Sequence, residues 1–197
     1  MKSPLKTFTI VSGPNGSGKT TFIDNSYSDL VQNGYLLNAD VIAQAMNPDN
    51  VSNVAISAGK KFLETLKTRL ENGEPILLET TLSGQKLLGK IEDAHLKGYR
   101  VNFIYLWVST PDLCDFRVKG RVASGGHNIP TSDIQRRYKR GLLNLEKYLK
   151  VADEYEIYQA DQKPVLIRRK KINALPITED PSLYDTLTKQ ITNLHHQ

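Results

Sequence analysis

Two rhythms of apolar residues alternate along the chain. Short unbroken runs stand at Phe8-Thr9-Ile10-Val11, at Ile76-Leu77-Leu78 and from Val101 to Val108. Between them, apolar residues return every three or four positions, as at Val54, Ile56, Phe62, Leu63, Leu66 and Leu70. The unbroken runs predict strands buried on both faces, and the longer period predicts amphipathic helices. In order, the pattern gives a strand over residues 7–12, a helix from 19 to about 30 and a short strand over 35–38. A long helix over 53–70 follows, closed by Asn72-Gly73. Next come a strand over 75–81, a helix over 87–96 and a central strand over 101–108. Thr110-Pro111-Asp112 opens a helix that ends at Gly125-Gly126, and Thr131-Ser132-Asp133 caps another that runs to about 150. Strands over 154–159 and 165–169 pair as a hairpin, and a last helix starts at Pro181-Ser182 and frays over 193–197. Strands separated by helices mean a parallel sheet wrapped on both faces.

Immediately after the first strand stands Gly13-Pro14-Asn15-Gly16-Ser17-Gly18-Lys19-Thr20. This fits the phosphate-cradling pattern G-x-x-x-x-G-K-[ST] at every position, in the strand–loop–helix context it requires. Glycines let the backbone turn with its N–H groups inward, and the helix that follows adds its unpaired N–H groups and positive dipole end. Lys19 is expected on the β and γ phosphates, the Thr20 hydroxyl on Mg²⁺, and Thr21 in the same helical turn. The fold class expected is therefore α/β: a P-loop NTPase of kinase-like, three-layer form. It should have a mostly parallel sheet of five to six strands and an arginine-rich lid at about 117–140, within one domain over 1–197.

The chain has 197 residues, enough for one domain with a core. A net charge of +5 suits small polyanions and is too weak to argue for nucleic acid. The one cysteine, Cys114, excludes an internal disulfide and a cysteine-rich zinc site. No signal-peptide pattern or membrane-length apolar run is present, so a cytoplasmic protein is expected.

Three further groups of residues can carry chemistry. Asp40 follows the second strand, at the carboxyl end where open parallel sheets bind ligands. It can accept a proton from a substrate hydroxyl, or it can cap the helix that starts at Val41; position alone leaves both open. Glu79 and Thr81 end the third strand. Glu79 can orient Mg²⁺ through water or bind substrate hydroxyls, while Thr81 with Ser83 can cap the next helix. The 101–108 strand ends in Ser109-Thr110, without the aspartate of a motor-type ATPase. The lid segment carries Arg117, Arg121, His127, Arg136, Arg137 and Arg140, and helical geometry cannot aim every arginine inward. An arginine brought to the γ-phosphate stabilises phosphoryl transfer and helps exclude water. Tyr158-Gln159-Ala160, near the expected base pocket, does not choose between ATP and GTP.

Four blocks taken together resemble the zeta toxin family of P-loop kinases, in particular its short chromosomal members. They are the phosphate loop, Asn-Ala-Asp-Val-Ile-Ala at 38–43, Glu-Thr-Thr-Leu-Ser-Gly at 79–84, and the pair at 121–130 and 136–145. The resemblance covers about residues 7–160. It implies an ATP- and Mg²⁺-dependent kinase that phosphorylates a hydroxyl of UDP-N-acetylglucosamine, with a protein antitoxin as a candidate partner. It implies Asp40 as catalytic base, Glu79 and Thr81 as contacts to the sugar nucleotide, and Arg121 as support for the transferring phosphate. In two places the chain departs from the family. Ser83 stands where the toxins carry a sugar-contacting arginine, and His127 replaces a second lid arginine. The transfer machinery is kept and the acceptor pocket is altered. A kinase for another metabolite or nucleotide, or a nucleotide switch without catalysis, are the alternatives.

Overall fold

In the computed structural model, residues 6–47, 51–123 and 129–196 are described. The chain runs β1 (Thr7–Ser12), α1 (Lys19–Ser26), α2 (Ser28–Gln32), β2 (Leu36–Asn38), α3 (Ala39–Met46), α4 (Val51–Asn72), β3 (Ile76–Thr80) and α5 (Lys86–Leu96). It continues β4 (Arg100–Trp107), α6 (Pro111–Ala123), α7 (Thr131–Val151), β5 (Glu154–Gln159), β6 (Val165–Lys170), β7 (Ile177–Thr178) and α8 (Pro181–His195). The strands form one sheet in the order β2-β3-β1-β4-β5-β6-β7. Neighbours from β2 to β5 are parallel, and β6 and β7 add on antiparallel.

The α/β class and the mostly parallel sheet agree with the sequence pattern. Ile76, Leu77 and Leu78 are all fully buried. Successive strand residues point to opposite faces, so both faces of the sheet are covered. Each such side chain contributes roughly 1.5–3 kcal/mol by leaving water. The sheet has seven strands, against the five to six expected. The additional one, β7, has two residues, too few to show a period. It exists because β6 offers it an edge, where Arg168 Nη1 donates to Thr178 Oγ1 at 2.7 Å.

Three local expectations are corrected. The first helix does not continue to residue 30: it ends at Ser26, the backbone turns at Tyr27, and α2 starts at Ser28. Around Tyr27, the run at 24–29 is otherwise Asp, Asn and Ser, residues that favour turns and caps over helix interiors. The start of α7 has no side-chain cap. Thr131 Oγ1 instead donates to Asp115 Oδ1 at 2.7 Å, tying α7 to α6. Thr81 and Ser83 do not cap α5; their hydroxyls bond each other at 3.1 Å, and α5 begins only at Lys86.

The order of the strands places the site. From β1 the chain builds β2 and β3 on one side, then crosses to build β4 and β5 on the other. A crevice opens at the carboxyl ends of strands where such a reversal occurs. Register aligns Asn38 with Glu79, and Glu79 with Val11. The phosphate loop, the start of α3 and the end of β3 therefore leave the sheet side by side.

Candidate active site

A cleft of about 970 Å³ lies at these strand ends, lined by the phosphate loop, α3, the 79–83 segment and the arginines of α6 and α7. Its floor is the loop from Gly13 to Gly18. Gly13 has φ 148°, and a Cβ there would stand 2.5 Å from the Leu106 carbonyl oxygen. Gly16 has φ 78°, and its Cβ would stand 2.6 Å from the Cys114 carbonyl oxygen. Both positions demand glycine by conformation and by space. Ser17 Oγ is buried in the loop without a hydrogen-bond partner, a polar atom that fits a polar ligand better than an apolar filling.

Lys19 is buried, and its Nζ donates to the Pro14 carbonyl at 2.8 Å. Burial pushes its pKa below the ordinary lysine value, while the carboxylates of Glu79 and Asp40 push it back up. Thr20 Oγ1 lies 3.4 Å from Glu79 Oε2, donating toward it. A hydroxyl beside a carboxylate, both oxygen donors at the edge of a phosphate cradle, is a donor set that suits Mg²⁺. The acidic residue after an apolar strand thus sits on β3, directly beside β1, and not at the end of β4.

Asp40 does not cap α3. Asn38 does, its Oδ1 accepting from Asp40 N at 2.8 Å and Val41 N at 3.4 Å. The Asp40 carboxylate is left on the cleft wall, its Oδ2 3.6 Å from Arg137 Nη1. The same Nη1 lies 3.5 Å from Oδ1 of Asn15 in the phosphate loop.

The arginines divide by what they touch. Arg117 lines the cleft, but its guanidinium holds backbone: the carbonyls of Gly16 at 3.2 Å, Ala160 at 2.8 Å and Asp161. It braces the phosphate loop against the end of β5. Arg121 lines the cleft, near enough to Lys19 for their charges to act on each other. Arg136 lines it too and pairs with Asp133 at 2.7 Å. Arg140 is exposed and is not among the lining residues. The segment expected as a lid consists, where described, of the last part of α6 and the first part of α7. His127 lies outside the described residues.

The 81–85 segment is held from behind by α7. Leu82 is buried with φ 60°, a left-handed conformation uncommon for leucine. Asn144 Nδ2 donates to its carbonyl at 2.9 Å, Gln85 Nε2 donates to Asn144 Oδ1 at 3.1 Å, and Tyr148 donates to the Gly84 carbonyl at 2.8 Å. Thr81 and Ser83 are thereby fixed on the cleft wall. Gln44, Val41, Phe62 and Ile129 complete that side. No linear signal marks them; they meet only because α3, α4 and the start of α7 converge.

A phosphate cradle at the reversal point of a mostly parallel sheet defines a P-loop NTPase-like protein. The AAA domain family model matches residues 8–140, and the chain belongs to that family. An uncharacterized protein of Haemophilus influenzae is 32% identical over 126 residues, which are 64% of this chain and 88% of that protein. Among solved structures, the complex AvrRxo1-ORF1:-ORF2 with ATP matches with a TM-score of 0.75 at 15% identity. That match covers 93% of this chain but only 64% of the other. The PezAT chromosomal toxin-antitoxin system of Streptococcus pneumoniae matches with a TM-score of 0.65 at 16% identity, covering 98% and 85% of the two chains. Identities this low make the structural likeness one of fold. No described helix is long and apolar enough to cross a membrane.

Proposed function

We propose that this chain is an ATP-dependent small-molecule kinase of zeta-toxin type, moving the γ-phosphoryl group to an acceptor hydroxyl. One observation carries the reading: a carboxylate that does no capping, Asp40, shares a single cleft with a complete phosphate loop. In the reaction, the acceptor oxygen bonds to the γ-phosphorus as the bond to the β,γ-bridging oxygen breaks. The hydroxyl proton passes to Asp40 and ADP leaves. Lys19 and the loop N–H groups hold the β and γ phosphates, and Arg121 takes up charge on the transferring group. Thr20, with Glu79 behind it, would hold Mg²⁺, which when bound neutralises the phosphate oxygens. Thr81 and Glu79 face the acceptor.

UDP-N-acetylglucosamine is the acceptor that the sequence resemblance puts first. Ser83, standing where the toxins have an arginine, is the reason to widen the search to other hydroxyl-bearing metabolites. A protein antitoxin is proposed as a partner on the same resemblance, and a chain of similar fold comes from the PezAT toxin-antitoxin system. The test is incubation with γ-labelled ATP and UDP-N-acetylglucosamine, then with a whole-metabolite extract. The wild type is expected to give a labelled product, and Asp40→Asn to give none while still binding ATP. No labelled product from any pool would overturn the kinase reading in favour of a binding switch.

A further inference from the structure

The run Arg136, Arg137, Tyr138, Lys139, Arg140 reads in sequence as one basic patch, and the fold separates its members. Tyr138 is buried, its hydroxyl 2.8 Å from the Val108 carbonyl and 3.1 Å from that of Ser109. Ile134 and Leu142 are fully buried on the same face, and Gly141 packs against the Thr81 carbonyl. These anchors fix the rotation of α7 about its axis. Arg137 stands at the edge of that buried face, half-buried, with its guanidinium reaching over the cleft. There it meets Asn15 of the phosphate loop at 3.5 Å and Asp40 at 3.6 Å. Both contacts are long for charge-assisted hydrogen bonds, which run about 2.7–2.9 Å. The guanidinium is thus loosely held between the cradle and the proposed base.

We infer that Arg137 is a further γ-phosphate ligand of the ATP-loaded protein, beside Lys19 and Arg121, and that it reaches the phosphate by exchanging away from Asp40. The assignment rests on the kinase reading above and adds a catalytic residue to it. A γ-phosphate next to Asn15 offers the guanidinium a dianionic partner with fork geometry, which outcompetes one carboxylate at 3.6 Å. The exchange has a consequence for timing. Asp40 is freed to accept the acceptor's proton only when the triphosphate has arrived. Because α7 is fixed by Tyr138 and Gly141, this arginine is supplied by the scaffold, whereas Arg121 comes from the last turns of α6.

The test measures binding without an acceptor. Calorimetry compares Mg·ADP with the Mg complex of a non-hydrolysable imido-ATP in the wild type and in Arg137→Ala, Arg137→Lys and Arg140→Ala. The wild type is expected to favour the triphosphate. Arg137→Ala should lose about tenfold or more of that preference while keeping its ADP affinity, the loss of one charge-assisted contact. Arg137→Lys, which keeps charge but not the fork, falls between, and carries the readout if the alanine variant does not fold. Arg140→Ala keeps the wild-type ratio. An unchanged ratio in both Arg137 variants overturns the assignment. Asp40→Asn should tighten imido-ATP binding more in the wild type than in Arg137→Ala, and equal tightening in both overturns the exchange. A wild type that discriminates the γ-phosphate through Arg137 yet labels no acceptor would sink the kinase reading alone.

Discussion

Replacing Gly141 by alanine sets two known effects against each other at one buried position. Alanine is a better helix residue than glycine by about 1 kcal/mol. The new methyl, however, would sit 2.9 Å from the Thr81 carbonyl oxygen, with Tyr105 Oη at 3.6 Å. The nearest atom is backbone, so no side chain can swing aside. Nor can α7 back away freely, because Asn144 and Tyr148 hold the carbonyls of Leu82 and Gly84. Overpacking of this kind costs about 1–3 kcal/mol, so the net effect runs from about zero to 2 kcal/mol of destabilisation. Gly89, exposed on α5 with nothing within 4 Å of its Cβ position, is the reference. There the same change should stabilise by about 1 kcal/mol, or raise Tm by about 2–4 °C in a chain of this size. Calorimetric melting of both variants should place Gly141→Ala about 2–12 °C below Gly89→Ala. Its acceptor KM should also rise, since Thr81 and Ser83 move with the backbone. A Gly141→Ala protein that melts as high as Gly89→Ala would refute the claim that α7 is in tight contact with the cleft wall at Thr81.

Two further expectations follow from the site. Asn38→Ala removes the cap of α3 and should cost about 1 kcal/mol, a Tm fall of about 2–4 °C. On the kinase reading it should also lower kcat by misplacing Asp40, and a normal kcat would show that the cap does not position the proposed base. Lys19 is held below its ordinary pKa by burial, and only its charged form attracts phosphate. ATP affinity should therefore fall as pH rises through that lowered value, before the ordinary 10.5 is reached. For stability the sign is reversed: between those two values the folded chain binds fewer protons than the unfolded one, so this group's contribution rises with pH. Calorimetric titration with ATP from neutral to alkaline pH checks the first part, and a flat affinity profile up to 10.5 would contradict it.

The phosphate cradle and most of the order of strands and helices could be read directly from the chain because they depend on neighbours in sequence. A left-handed turn needs glycine at Gly16 and Gly18, and a strand buried on both faces needs an unbroken run such as Ile76-Leu77-Leu78. Whether Asp40 caps its own helix was not open to that kind of reading, since a cap and a carboxylate left on the cleft wall fit the same few residues. It was decided by which side chain, Asn38 or Asp40, turned to the free N–H groups of α3. Likewise Thr20 meets Glu79 across 59 positions, and Asn15 meets Arg137 across 122. Those approaches come from sheet register and from the rotation of α7, both products of packing the whole core. The same packing turned Arg117 to backbone carbonyls and left Arg140 outside the cleft, although all of these arginines look alike in sequence.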